Sequence, residues 1–301
     1  MAGFAWAALA VAVFSGWFVV TRFSVTRELA IWDITALRFG VGAVLLAPIV
    51  LRRGARLPPG AWLKGLVFAL LWGLPFVLLV ALGLQLTSAA EAASIAPTLM
   101  PVFAGVLAAA FMGVAQGRAR WLGYGTIVLG LAGLVAADAA MRGVPNLAGM
   151  GALAAAAAMW AVYTLLFRRS GLTPMQSAAL ICIWSAALFL PAYFLLGLGR
   201  FALASPGEIA VQAVYQGALM SGVAVVTFNR AVSLLGPSAA TAIIALLPAV
   251  ATALAVPVLG EVPTAGQAAA IATIVLGAGL AARPAPRRPI ASVSATATRS
   301  P

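Results

Sequence analysis

The sequence has no histidine, one cysteine and only six acidic side chains. Lack of histidine excludes imidazole metal sites and histidine proton relays, and Cys182 alone cannot close a disulfide within the chain. No apolar run holds a pair of acids or a nucleophile beside a base. Neither catalytic residues, nor metal ligands, nor a cofactor site are therefore expected, and a membrane-embedded enzyme is set aside. Charge is scarce as well. With 8% charged against 64% apolar residues, a water-facing surface cannot be assembled, so the chain reads as a polytopic membrane protein. The net charge of +12 does not point to nucleic acid, because the 18 Lys and Arg are scattered in ones and twos between apolar runs, as loop charges are.

What is present is a succession of apolar segments. The opening "MAGFAWAALAVAVFSGWFVV" lacks a basic leader and a small-residue cleavage site, and reads as a retained first span. A bilayer core of about 30 Å needs about 20 helical residues. Ten such spans can be laid down: 4–21, 34–51, 65–84, 91–112, 121–139, 149–167, 176–196, 209–229, 237–258 and 265–282. The segment 283–301, rich in Pro, Ser and Arg, is expected to be a disordered cytoplasmic tail. With both termini inside, most basic residues fall on the cytoplasmic side, including Arg52, Arg53, Arg56, Lys64, Arg168 and Arg169. That orientation suits a bacterial inner (plasma) membrane. The acidic residues Glu28, Asp33, Glu91, Asp138, Glu208 and Glu261 fall at or near the outer side.

An internal repeat organises the spans. A shift of 143 aligns Trp17 with Trp160, Thr21 with Thr164 and Pro48 with Pro191. A shift of 147 aligns Pro101 with Pro248, Gly113 with Gly260, and "IVLG" at 127–130 with "IVLG" at 274–277. The copies occupy 1–143 and 144–282 and hold five spans each. An odd number inserts the second copy upside down, so the expected fold is an all-α integral membrane protein of ten transmembrane helices in two inverted five-helix repeats.

The motifs "FSGWF", "TALRFGVGAVLLAP", "ALGLQLTSAAEAASIAPTLMPVFAGVLAAAFMG" and "AVSLLGPSAATAIIALLPAVATALAVPVLGEVPTAGQ" run through both copies. On these the chain, from about Phe4 to Ala282, resembles the EamA-type transporters of the drug/metabolite transporter superfamily. The resemblance implies ten helices around a central cavity and the passage of small metabolites, often amino acids or drug-like compounds. It also implies an acid after the glycine that closes the fourth helix. Here Gly113 is followed by Val114, and only the second copy keeps the acid, as Gly260-Glu261.

Several residues could carry the function. Pro101 and Pro248 lie near the middle of their spans, and each deprives a carbonyl one turn earlier of its donor, at Pro97 and Ile244. They read as hinges lining a cavity or as packing kinks. Glu91, Ser94 and Thr98 share one face of the fourth span, and Ser238, Thr241 and Thr252 one face of the ninth. Such stripes could line a wet path or serve close packing. Arg38 has no charged counterpart in the second copy, and a charge in a span seeks a partner. Glu91, at similar depth, is the candidate ion-pair partner, and it is also the candidate for proton coupling. Phe14, Trp17, Phe18 and Thr21 follow helical spacing in the first span, and Trp160, Tyr163, Thr164 and Phe167 in the sixth. Facing each other they would form an amphipathic pocket, and facing lipid they would be anchors. Gln212, Tyr215 and Gln216 are further polar candidates on the eighth span. Gly123, Gly130, Gly133, Gly277 and Gly279 permit close helix approach, within one chain or across a dimer, so monomer and homodimer both remain open.

These features suggest a secondary-type transporter, most simply an exporter, carrying small metabolites, amino acids or aromatic and drug-like compounds by alternating access across the lipid bilayer. The other readings are a lipid-linked sugar flippase of the same fold group, marked by membrane-partitioned cargo, and a passive channel, marked by flux without saturation.

Overall fold

The computed structural model describes residues 1–25, 29–87, 89–260 and 262–283. Glu28, Glu261 and the 284–301 part of the expected tail lie outside the described residues. Within them the chain is helical, without strands. Among the described residues, nine segments are long and apolar enough to cross a membrane. The last apolar helix, Ala265–Ala281, has 17 residues, about 25 Å of rise, and is short of a full crossing by itself.

The first two spans are the unbroken helices α1 (Ala2–Val25) and α2 (Ile31–Leu51). The third is two helices, α3 (Ala61–Trp72) and α4 (Leu74–Leu86), where the sequence reading has one. Gly73 makes the break. Its backbone leaves helical geometry, the nitrogen of Leu74 finds the Ser185 hydroxyl at 3.2 Å, and Pro75 restarts the helix where its missing N–H is harmless. Helices α5 (Ala89–Met112), α6 (Arg118–Arg142), α7 (Leu147–Arg169) and α8 (Pro174–Leu195) follow. Asn146 caps α7 by accepting from Gly149, and Thr173 with Gln176 forms a capping box at the start of α8.

The eighth span is also not a plain helix. It begins as α9 (Pro206–Gln212), widens to a π-helix over Ala213–Ala224 and tightens again as α10 (Val225–Leu235). The ninth is α11 (Pro237–Ile244) and α12 (Leu247–Leu259), and α13 is Ala265–Ala281. Gly113 and Gly260, aligned in the repeat, both stand just past a helix end at φ of 62° and 70°, which a side chain would strain.

The two midplane prolines behave differently. α5 runs on through Pro97 and Pro101 without interruption. Pro248, by contrast, follows a break at Ala245 and Leu246, where the chain tightens to bonds spanning three residues, Leu246 to Ile243 at 3.0 Å and Ala249 to Leu246 at 3.1 Å.

Helix neighbours come in matching sets. α2 packs on α8, and α6 on α13. α5 lies on α7 as α12 lies on α1, and α4 meets α7 as α10 meets α1. α3 packs on α8 as the π-helix packs on α2. The α6–α13 seam shows the correspondence at atomic scale. A methyl added at Gly277 would lie 2.7 Å from the nitrogen of Ile127, and one at Gly130 would lie 2.8 Å from the nitrogen of Ile274. The two "IVLG" stretches are thus laid against each other antiparallel, glycine to isoleucine in both directions, with backbones in contact. Gly123 joins the same seam, against Ala281 and Gly277, whereas Gly279 faces open space. Gly123, Gly130 and Gly277 therefore serve packing within the chain.

Candidate functional site

Rings from four helices meet at the centre of the bundle. Trp72, the last residue of α3 before the Gly73 break, stacks on Tyr163 at 4.6 Å and on Trp160 at 5.4 Å. Phe14 meets Trp160 edge-on at 5.5 Å, and Phe228 approaches both Trp72, at 5.3 Å, and Trp160, at 5.5 Å. The aromatic faces of the first and sixth spans are thus buried inside the bundle and do not anchor in lipid.

Beside these rings lies a narrow cavity of about 20 Å³, room for about one water molecule. Trp17 and Trp160, the aligned tryptophans of the two copies, both line it, with Phe14, Trp72, Phe76 and Arg38. Pro97, whose carbonyl Pro101 deprives of its donor, and Leu247, beside the ninth-span break, complete two of its walls. Pro101 and Pro248 stand one turn and one residue further on, outside the lining.

Among the described residues, Arg38 is the one charged side chain of the lining. It sits seven residues into α2, about 10 Å from the helix start, deeper than the sequence reading placed it because α2 begins earlier, at Ile31. The buried face of α2 runs through Thr35, Arg38, Phe39, Gly42 and Leu46, and this face carries Arg38 inward. The side chain is 4% exposed. It meets rings: its Cζ is 5.5 Å from the Trp17 ring centroid and 5.6 Å from that of Phe39. Cation–π contacts of this kind stabilise by about 0.5–2 kcal/mol, less than a buried guanidinium needs. Its Nε and Nη1 have no hydrogen-bond partner. Among the described residues no ion pair joins it to Glu91, so the pairing expected from depth alone is not formed. The indole Nε1 of Trp160 is likewise buried with no acceptor. An unsatisfied buried donor costs about 1–3 kcal/mol, so the cavity concentrates uncompensated donors.

The polar candidates of the eighth span do different work. Gln216 accepts from Trp17 Nε1 at 2.9 Å and donates to Thr21 at 3.0 Å and Gln212 at 3.1 Å, while Gln212 donates to the Val20 carbonyl at 3.3 Å. Tyr215 donates to the Val13 carbonyl at 3.0 Å. Together they tie the π-helix to α1 and fix the Trp17 ring at the cavity wall. The Tyr163 hydroxyl points away, 3.0 Å from Ser177 and 2.7 Å from Asn229 Nδ2. Glu91, Ser94 and Thr98 are buried along α5, and the Thr98 hydroxyl has no partner. Thr241 is buried too and bonds back to the Ser238 carbonyl at 3.2 Å. None of these four lines the cavity.

Trp72, Phe76 and Met220 line the cavity and were not singled out as site residues by the sequence reading. For Trp72 a signal existed: "WGLP" places it at a Gly-Pro helix interruption, where a side chain is presented to the bundle interior.

Residues 1–136 and 147–283 each match the EamA-like transporter family. No match is found among the curated proteins compared. A solved structure described only as "Crystal structure of protein" is similar at 25% identity and a TM-score of 0.69, over 93% of this chain and 96% of that one. Two family matches, one over each copy of the repeat, leave little of the sequence outside them, and this multi-pass membrane protein belongs to the EamA-like transporter family.

Proposed function

We propose that the protein is a secondary transporter that exports small aromatic or apolar metabolites across a bacterial inner membrane by alternating access. The observation that carries this reading is the central cavity, walled by the repeat-related Trp17 and Trp160 and by ring systems from both halves. A site shared by two similar halves can be exposed to each side in turn if one half rocks against the other. Ten spans in two inverted five-helix repeats, 1–143 and 144–282, are supported by the paired helix neighbours and by the antiparallel "IVLG" seam. Both termini are then cytoplasmic. The cavity, with room for about one water, corresponds to an occluded arrangement, and the breaks at Gly73 and at Ala245–Leu246 are the natural places for it to open.

Purified protein in proteoliposomes tests this directly. Saturable uptake with counterflow of labelled amino acids or small aromatic metabolites is the expected result. Flux that rises without saturation, or none for any compound of this class, would overturn it.

A further inference from the structure

We infer that the cavity, once widened from the one-water form described above, selects an aromatic monocarboxylate, its carboxylate held by Arg38 and its ring by the tryptophan and phenylalanine walls, over a zwitterionic amino acid or an aromatic amine. This deepens the transporter reading and rests on it.

Three facts converge. Among the described residues the lining holds one charged side chain, Arg38, and no acid. Among the described residues, the buried side-chain polar atoms left without partners on that lining are all donors: Nε and Nη1 of Arg38 and Nε1 of Trp160. The remainder is aromatic or aliphatic. A guanidinium offers a planar fork of donors suited to a carboxylate, and here Nε and Nη1 of that fork carry no partner. An ammonium group would meet no carboxylate on this lining and would share the cavity with a like charge. The electron-rich face of Trp17, which could otherwise hold it, already faces Arg38. A zwitterion would gain at one end and lose at the other. A small inorganic anion would satisfy the donors while leaving the ring walls unused.

The test uses the full chain in detergent and its cavity tryptophans, Trp17, Trp72 and Trp160, as the probe, with fluorescence excited where phenyl rings do not absorb. Phenylacetate, phenylalanine and phenethylamine share a ring and differ in charge. Phenylacetate is expected to bind about 10- to 100-fold more tightly than either, the range that a hydrogen bond to a charged group commands. Acetate and chloride should compete weakly. Arg38→Gln should remove the preference for phenylacetate, and Arg38→Lys, which keeps the charge without the fork, should restore part of it. The wild-type preference does not depend on any variant folding. Equal or tighter binding of phenylalanine or phenethylamine would overturn the inference, as would chloride or acetate matching phenylacetate, or Arg38→Gln binding phenylacetate like wild type. If saturable counterflow of an amino acid accompanies any of those results, the transporter reading survives and the carboxylate preference alone falls.

Discussion

Replacing Gly277 by alanine should loosen the protein, whereas the same change two residues on, at Gly279, should not. At Gly277 the new methyl carbon would lie 2.7 Å from the Ile127 nitrogen and 2.9 Å from the Gly123 carbonyl oxygen. Ordinary contacts of this kind begin at 3.4 Å, so α6 and α13 must separate locally by about 0.7 Å (3.4 − 2.7), and neither atom belongs to a side chain that could rotate away. Overpacking of this sort costs about 1–3 kcal/mol. Alanine also favours the helix by about 1 kcal/mol over glycine, which would mask part of the loss if Gly277→Ala were compared with wild type. Gly279, with nothing within 4 Å, receives the same helix benefit without the clash, so the difference between the two variants isolates the packing cost. Thermal unfolding in detergent, followed by tryptophan fluorescence, should give Gly277→Ala a clearly lower Tm than Gly279→Ala. Equal values would refute the backbone-contact seam. A lower Tm for Gly279→Ala would show that its open face is covered, for instance by a second copy of the chain.

Three other outcomes follow from the same geometry. Gln216→Leu removes the acceptor of buried Trp17 Nε1 and should destabilise by about 1–3 kcal/mol, read as a lower Tm. Pro248→Ala should slow counterflow more than Pro101→Ala, because Pro248 borders a helix break while Pro101 lies in a continuous helix; equal effects would return both prolines to a packing role. Glu91→Gln should abolish any dependence of uptake on an imposed pH gradient while preserving counterflow at uniform pH. A gradient response that persists in that variant would exclude Glu91 as the coupling group.

Much of the architecture was legible because a bilayer imposes one length on every span and a duplicated sequence keeps its landmarks. The third, eighth and ninth spans were legible only as apolar stretches. Hydropathy averages over the interruptions at Gly73 and Ala245–Leu246, and a π-helix over Ala213–Ala224 has no signature in composition. The aromatic faces of the first and sixth spans could be found by spacing, since repeats bring Trp17 and Trp160 to equivalent places. Trp72 and Phe76 could not be found that way, because they flank a break that resets the helical phase.

The sequence by itself determined that this is a polytopic membrane protein, without histidine chemistry or an internal disulfide, built from two related halves. These properties depend on composition and periodicity, which are local or additive. Only the tertiary structure decided what each polar side chain meets. Gln212, Tyr215 and Gln216 are committed to holding α1, and Arg38 lies among rings, with no ion pair to Glu91 among the described residues. Whether a buried donor has an acceptor depends on helices distant in sequence arriving at one place in one rotation. For Arg38 and Trp160 that arrangement leaves buried donors without acceptors on two residues that line a cavity.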